Sequence, residues 1–110
     1  MVNEILKNAG FVENETYRET RFLKPPKSTY AVYMVSFTVS GADDAWLEKY
    51  KLTTIELYEY APDPEAEARV EAELNARYHF MSDGWEKQSR YWIEEEQLYQ
   101  VVYTFEHIEK

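Results

Sequence analysis

Cysteine is absent from all 110 residues, which excludes a disulfide framework and a thiolate metal site. That absence fits a reducing compartment. Glycine occurs only at Gly10, Gly41 and Gly84, too scattered for a loop that cradles phosphate. The two histidines, His79 and His107, show neither a His-x-x-x-His nor a His-Glu-x-x-His spacing, so a zinc site or a histidine base has little to build on. Ser28, Ser36, Ser40, Ser82 and Ser89 all lack the G-x-S-x-G setting of a hydrolase nucleophile. No stretch approaches the roughly 18 uninterrupted apolar residues that cross a bilayer. Residues 1–10 include Glu4 and Lys7 and lack a secretory apolar core. The expectation is a soluble protein that works where it is made, in which Asn14-Glu15-Thr16 is a chance glycosylation match.

What remains is acidic and aromatic. At this length the chain forms one domain, 1–110, burying roughly 65% of its unfolded surface. The net charge of −9 is unevenly placed: residues 1–55 hold seven acids and seven bases, residues 56–110 fourteen acids and five bases. Such a surface repels phosphates and argues against nonspecific nucleic-acid binding. The contrast lies in Arg18, Arg21, Lys24 and Lys27, four bases within ten residues. A basic arm and an acidic half on one molecule can pair head to tail between identical copies, which closes rings.

Val2, Ile5, Leu6 and Ala9 make one helical stripe, with Gly10 placed to end it. Residues 12–28 read as a polar extended arm, with a possible short strand near 18–23, and Pro25-Pro26 forbids helix there. Residues 30–39 form a strand apolar on both faces, expected to be central and covered on both sides. Residues 52–60 form a second strand with Thr53, Ile55 and Leu57 inward and Glu56, Tyr58 and Tyr60 outward. Asp63-Pro64 starts a helix carrying Ala66, Val70 and Leu74 at four-residue spacing to about Tyr78, its early glutamates complementing the helix dipole. Asp83-Gly84 turns the chain into strands 85–93 and 98–105, joined by Glu94-Glu95-Glu96-Gln97. The fold class is α+β: a mostly antiparallel sheet of four to five strands with two helices packed on one side.

Glu94, Glu95 and Glu96 are adjacent, so their carboxylates diverge and read as a solvated turn. Neither catalysis nor a cofactor is expected. Ten tyrosines and three tryptophans carry more weight. Trp46 beside Asp43 and Asp44, together with Tyr58, Tyr60 and Trp92 on faces shared with charges, have the composition of protein interfaces. With Arg18, Arg21, Lys24 and Lys27 they are the candidate interface residues.

Pro25-Pro26 before Tyr30-Ala31-Val32-Tyr33, then Ala42-Asp43, then Thr54-Ile55-Glu56-Leu57-Tyr58, resembles the minor tail, or tail-completion, proteins of long-tailed phages and prophages. The ending from Tyr91-Trp92-Ile93 through Tyr103-Thr104-Phe105-Glu106 extends the resemblance over most of the chain. Two places depart from that pattern: residues 13–23 are longer and more basic, and the loop 45–50 contains Trp46. The resemblance implies a structural tail terminator without enzymatic activity or cofactor, assembling as a ring, typically a hexamer. Such a ring caps the tail tube, stops its polymerisation and joins the head through a connector protein, with DNA passing through unbound. It implies assembly in the host bacterial cytoplasm and residence in the virion tail. The alternative is an acidic phage-encoded inhibitor that imitates DNA, which requires carboxylates regularly spaced over one exposed face.

Overall fold

The computed structural model describes residues 2–40, 48–78 and 84–109. The first helix, α1 (Val2–Asn8), buries Val2, Ile5 and Leu6. It stops because Gly10 adopts φ 99°, a left-handed conformation that a side chain would oppose. Phe11 N–H then donates to Leu6 C=O and Gly10 N–H to Lys7 C=O, both at 3.0 Å. These two bonds form a Schellman motif, and the Leu6 and Phe11 side chains join the same core.

The strands are β1 (Tyr17–Glu19), β2 (Tyr30–Ser40), β3 (Glu48–Glu59), β4 (Trp85–Ile93) and β5 (Leu98–Glu109). They form one sheet in the order β1-β2-β3-β5-β4. Only the β1–β2 pair is parallel; the other three are antiparallel. The second helix, α2 (Pro64–Arg77), begins where the sequence places it: the Asp63 side chain accepts from Ala66 N–H at 3.1 Å, and Pro64 occupies the first turn.

Register decides which side chains meet the helices. Ala31 stands opposite Leu57, and Leu57 opposite Val101; Tyr33, Ile55 and Tyr103 form the next row. This face packs with Val2, Ile5, Leu6, Ala66, Val70 and Leu74 from both helices into the main core. The α+β class, with both helices on one side of a mostly antiparallel sheet, is therefore the observed architecture.

The arm 12–28 carries the further short strand expected near 18–23, found at Tyr17–Glu19: Tyr17 is fully buried in the main core, and β1 adds an edge strand to the sheet. Beyond it the chain turns at Thr20, whose φ of 70° is an outlier for a β-branched residue. Phe22 then reaches the helix-free face and packs with Tyr30, Val32, Tyr58 and Leu98. One expectation changes: β2 is not covered on both sides along its length. Tyr30, Ala31 and Val32 are buried, whereas Met34 and Phe37, on opposite faces, are 37% and 48% exposed. The helices and the arm cover the first part of this strand more fully than the part from Met34 to Phe37.

Candidate functional site

The bases of the arm are presented outward. Arg18, Arg21, Lys24 and Lys27 are all exposed, and among the described residues none forms a salt bridge. Two hydrogen bonds near Pro25-Pro26 fix their position. Tyr60 OH donates to the Pro26 carbonyl at 2.8 Å, and Thr29 Oγ1 donates to Asp63 Oδ2 at 2.6 Å. Thus Tyr60, 45% exposed, doubles as a clamp on the arm. Between the arm and the β4–β5 turn lies an open groove of about 230 Å³, lined among others by Arg21, Phe22, Tyr30, Tyr58 and Glu96.

The other candidates divide. Tyr58 is packed rather than presented: its ring stacks on Tyr30 at 5.1 Å, its hydroxyl donates to Glu56 Oε1 at 2.8 Å, and it accepts from Gln100 Nε2 at 3.0 Å. Burial, then the bond to Glu56, pushes its phenol well above the ordinary value. Trp92 is 39% exposed, lies 4.8 Å from the Tyr99 ring and donates Nε1–H to Glu94 Oε2 at 2.6 Å. Asp43, Asp44 and Trp46 lie outside the described residues, as do His79 and the side chain of His107. The described candidate positions thus occur on β1 and the arm, at the β3 end and on β4, and they do not converge on one pocket.

The densest polar constellation was not legible as a site. Glu67, on α2, accepts from Lys87 Nζ on Oε1 at 3.1 Å and from Arg90 on Oε2 at 2.9 and 3.0 Å. Lys87 also reaches Glu71 Oε2 at 2.6 Å, and the buried Tyr103 hydroxyl donates to that oxygen at 2.8 Å. Glu59, at the end of β3, has no exposed surface. Its Oε1 accepts from Asp63 N–H at 3.1 Å and lies 3.3 Å from Arg90 Nε, while Oε2 has no partner. These groups tie α2 to the edge strand β4.

The electrostatics follow from burial and pairing. Burial, then the neighbouring Glu67, pushes the Glu59 carboxyl up to about 7. Burial also acts to raise Glu67, but its hydrogen bonds with Glu59, Arg90 and Lys87 outweigh it and hold this carboxyl below the usual range. Lys87 is desolvated, which disfavours its charge, yet Glu71 and Glu67 hold it above the ordinary ammonium value. A carboxyl pair split in this way can exchange a proton, though Glu59 is closed to any solute. Among the described residues no group of three or more His, Asp or Glu is arranged to hold a metal ion.

No protein-family model matches this sequence, and no curated protein matches it. A solved structure does: a chain from the virion of a native gene transfer agent particle superposes with a TM-score of 0.55. The match spans 84% of this chain and 77% of that one at 14% sequence identity, a similarity of fold.

Proposed function

We propose that this is a structural virion protein, a tail terminator that caps a phage tail tube, ends its polymerisation and offers the surface that joins the head. The reading is supported by the resemblance to tail-completion proteins and by the shared fold with a chain of a gene transfer agent virion. The observation that carries it is the row of four outward bases that no acid among the described residues satisfies. A neighbouring copy, acidic in its C-terminal half, supplies complementary charge, and the two sheet edges, β1 and β4, give unlike surfaces for a head-to-tail contact. Repeated around an axis, such contacts close a ring, with six copies as the working number. The protein acts without catalysis, assembles in the bacterial cytoplasm and remains at the head–tail junction, between tail-tube and connector proteins. DNA passes through the ring without specific contacts.

Purified protein added to polymerising tail-tube subunits tests this. Tubes capped at one end, with further growth arrested, are expected; light scattering follows the ring in solution and on the tube. Protein that neither binds tubes nor limits their length overturns the reading. On α2 the DNA-mimic alternative draws no support, because Glu67, Glu71 and Glu73 are engaged by Lys87, Arg90 and Arg77 rather than arrayed free.

A further inference from the structure

We propose that Glu59 holds a proton on Oε2 and donates it to Glu67, and that this shared proton locks α2 to the edge strand β4, so that its loss loosens the seam. Three geometric facts carry this. Glu59 is fully enclosed, and Oε2, as a carboxylate oxygen, lacks a partner. A buried acceptor without a donor is costly, whereas a carboxylic acid turns that atom into a donor, and a second carboxyl is close by: Arg90 Nε lies 3.3 Å from Glu59 Oε1 and 3.0 Å from Glu67 Oε2. Glu59 also stands where four pieces meet: the end of β3, the Asp63 cap, α2 through Glu67, and β4 through Arg90.

The charges around it are few. Glu67 faces it from α2, Arg90 from β4 and the Tyr103 hydroxyl from β5, with Glu71 and Lys87 joined to them through Glu67 and Tyr103. The capping Asp63 lies beside it, its carboxylate held by Thr29, Ala66 N–H and the charge of Arg69. With Glu59 neutral, the carboxylates of Glu67 and Glu71 balance the two β4 cations. With Glu59 ionised, the seam carries one uncompensated buried negative charge, which repels Glu67 directly. The folded-state value near 7, above that of an exposed glutamate, agrees in direction. Stability from this group is therefore complete at acid pH below the unfolded value and is lost as pH rises toward and through about 7. Glu67 has the opposite sign: its contribution is lost only as pH falls below the usual carboxylate range.

Urea unfolding of wild type and Glu59→Gln from about pH 5 to about pH 8.5 tests the proposal. The amide keeps a neutral donor toward Glu67 at every pH. The folding equilibrium constant of wild type is expected to fall relative to E59Q, on the order of 100-fold across this range. Amide exchange in β4, taken relative to β2, is expected to accelerate over the same rise in wild type and not in E59Q. Parallel pH profiles for the two proteins overturn the proposal, as does β4 exchange that rises equally in both. If E59Q does not fold, the infrared spectrum of wild type decides. A carboxylic-acid band at about pH 6 that disappears by about pH 8.5 supports the shared proton, and no such band refutes it.

Discussion

Lys87 and Arg90 stand three residues apart on one strand and yet hold the two oxygens of a single carboxylate, that of Glu67. In a regular strand, residues three apart point to opposite faces. Here β4 slips register between Gln88 and Tyr91, so that three steps on β4 match two on β5. Lys87 pairs with Tyr103 before the slip and Trp92 with Tyr99 after it, which shifts the helix-facing parity from odd to even. The one-residue bulge thereby brings both cations beneath α2, and it kinks an exposed sheet edge against unwanted pairing.

Glu67 should consequently be the costliest acid on α2 to remove. It is 6% exposed against 28% for Glu71, and its loss leaves the partly buried Arg90 without its main partner and Lys87 with Glu71 alone. Glu67→Ala is expected to cost about 3 kcal/mol and Glu71→Ala about 1 kcal/mol, the cations at the partly exposed seam recovering some hydration. Urea unfolding at neutral pH compares the two. Deleting Ser89, which removes the extra residue of the bulge, leaves Lys87 and Arg90 two steps apart on one face, so both contacts to Glu67 should survive and the cost should be smaller than that of Glu67→Ala.

Asp63 links the helix start to the arm. Its carboxylate accepts from Ala66 N–H and from Thr29 Oγ1, and the Thr29 bond is the chief reason its pKa lies below the ordinary value. Asp63→Ala is expected to lower stability by about 1–2 kcal/mol at neutral pH. Because the folded value is depressed, this contribution is present above the unfolded value and disappears as pH falls through the folded one. The gap between wild type and variant in urea should therefore narrow below about pH 4.

Much of the fold was written locally. Gly10 ended α1, Asp63-Pro64 began α2, and Thr53, Ile55 and Leu57 marked the buried side of β3, because each rests on a neighbour within a few residues. The candidate site was less legible. Tyr58 looks presented because it alternates with core residues, but Phe22, 36 positions earlier in the sequence and brought close by the arm's reversal, joins the cluster in which Tyr58 packs. Glu67 looks like any solvated acid in the first turns of a helix. Its burial depends on a bulge more than twenty residues away, and bulges leave little trace in the alternation of a strand as polar as β4.

Thr20 tests the cost of the arm's reversal. Its φ of 70° suits Asn or Gly, while its backbone N–H keeps a 2.8 Å bond to the Tyr33 carbonyl that does not depend on the side chain. Thr20→Asn is expected to gain roughly 0.5–1 kcal/mol, read as a higher urea midpoint with an unchanged slope. Thr20→Val, equally branched and less able to bond locally, should lose stability by a similar amount.

The arm's bases separate folding from assembly. Arg18, Arg21, Lys24 and Lys27 are exposed and form no salt bridge within the described part of the subunit. Reversing all four to glutamate is therefore expected to change each position's contribution to stability by no more than about 0.5 kcal/mol. If the arm meets acidic surface of a neighbouring copy, the same reversal abolishes ring formation and tube capping, and raised salt weakens wild-type assembly in the same direction. Sedimentation with tail tubes, beside thermal unfolding of the isolated subunit, reads both effects. A variant that still caps tubes at low salt would move the subunit contact away from the arm, whereas one that unfolds would show that the bases serve their own subunit.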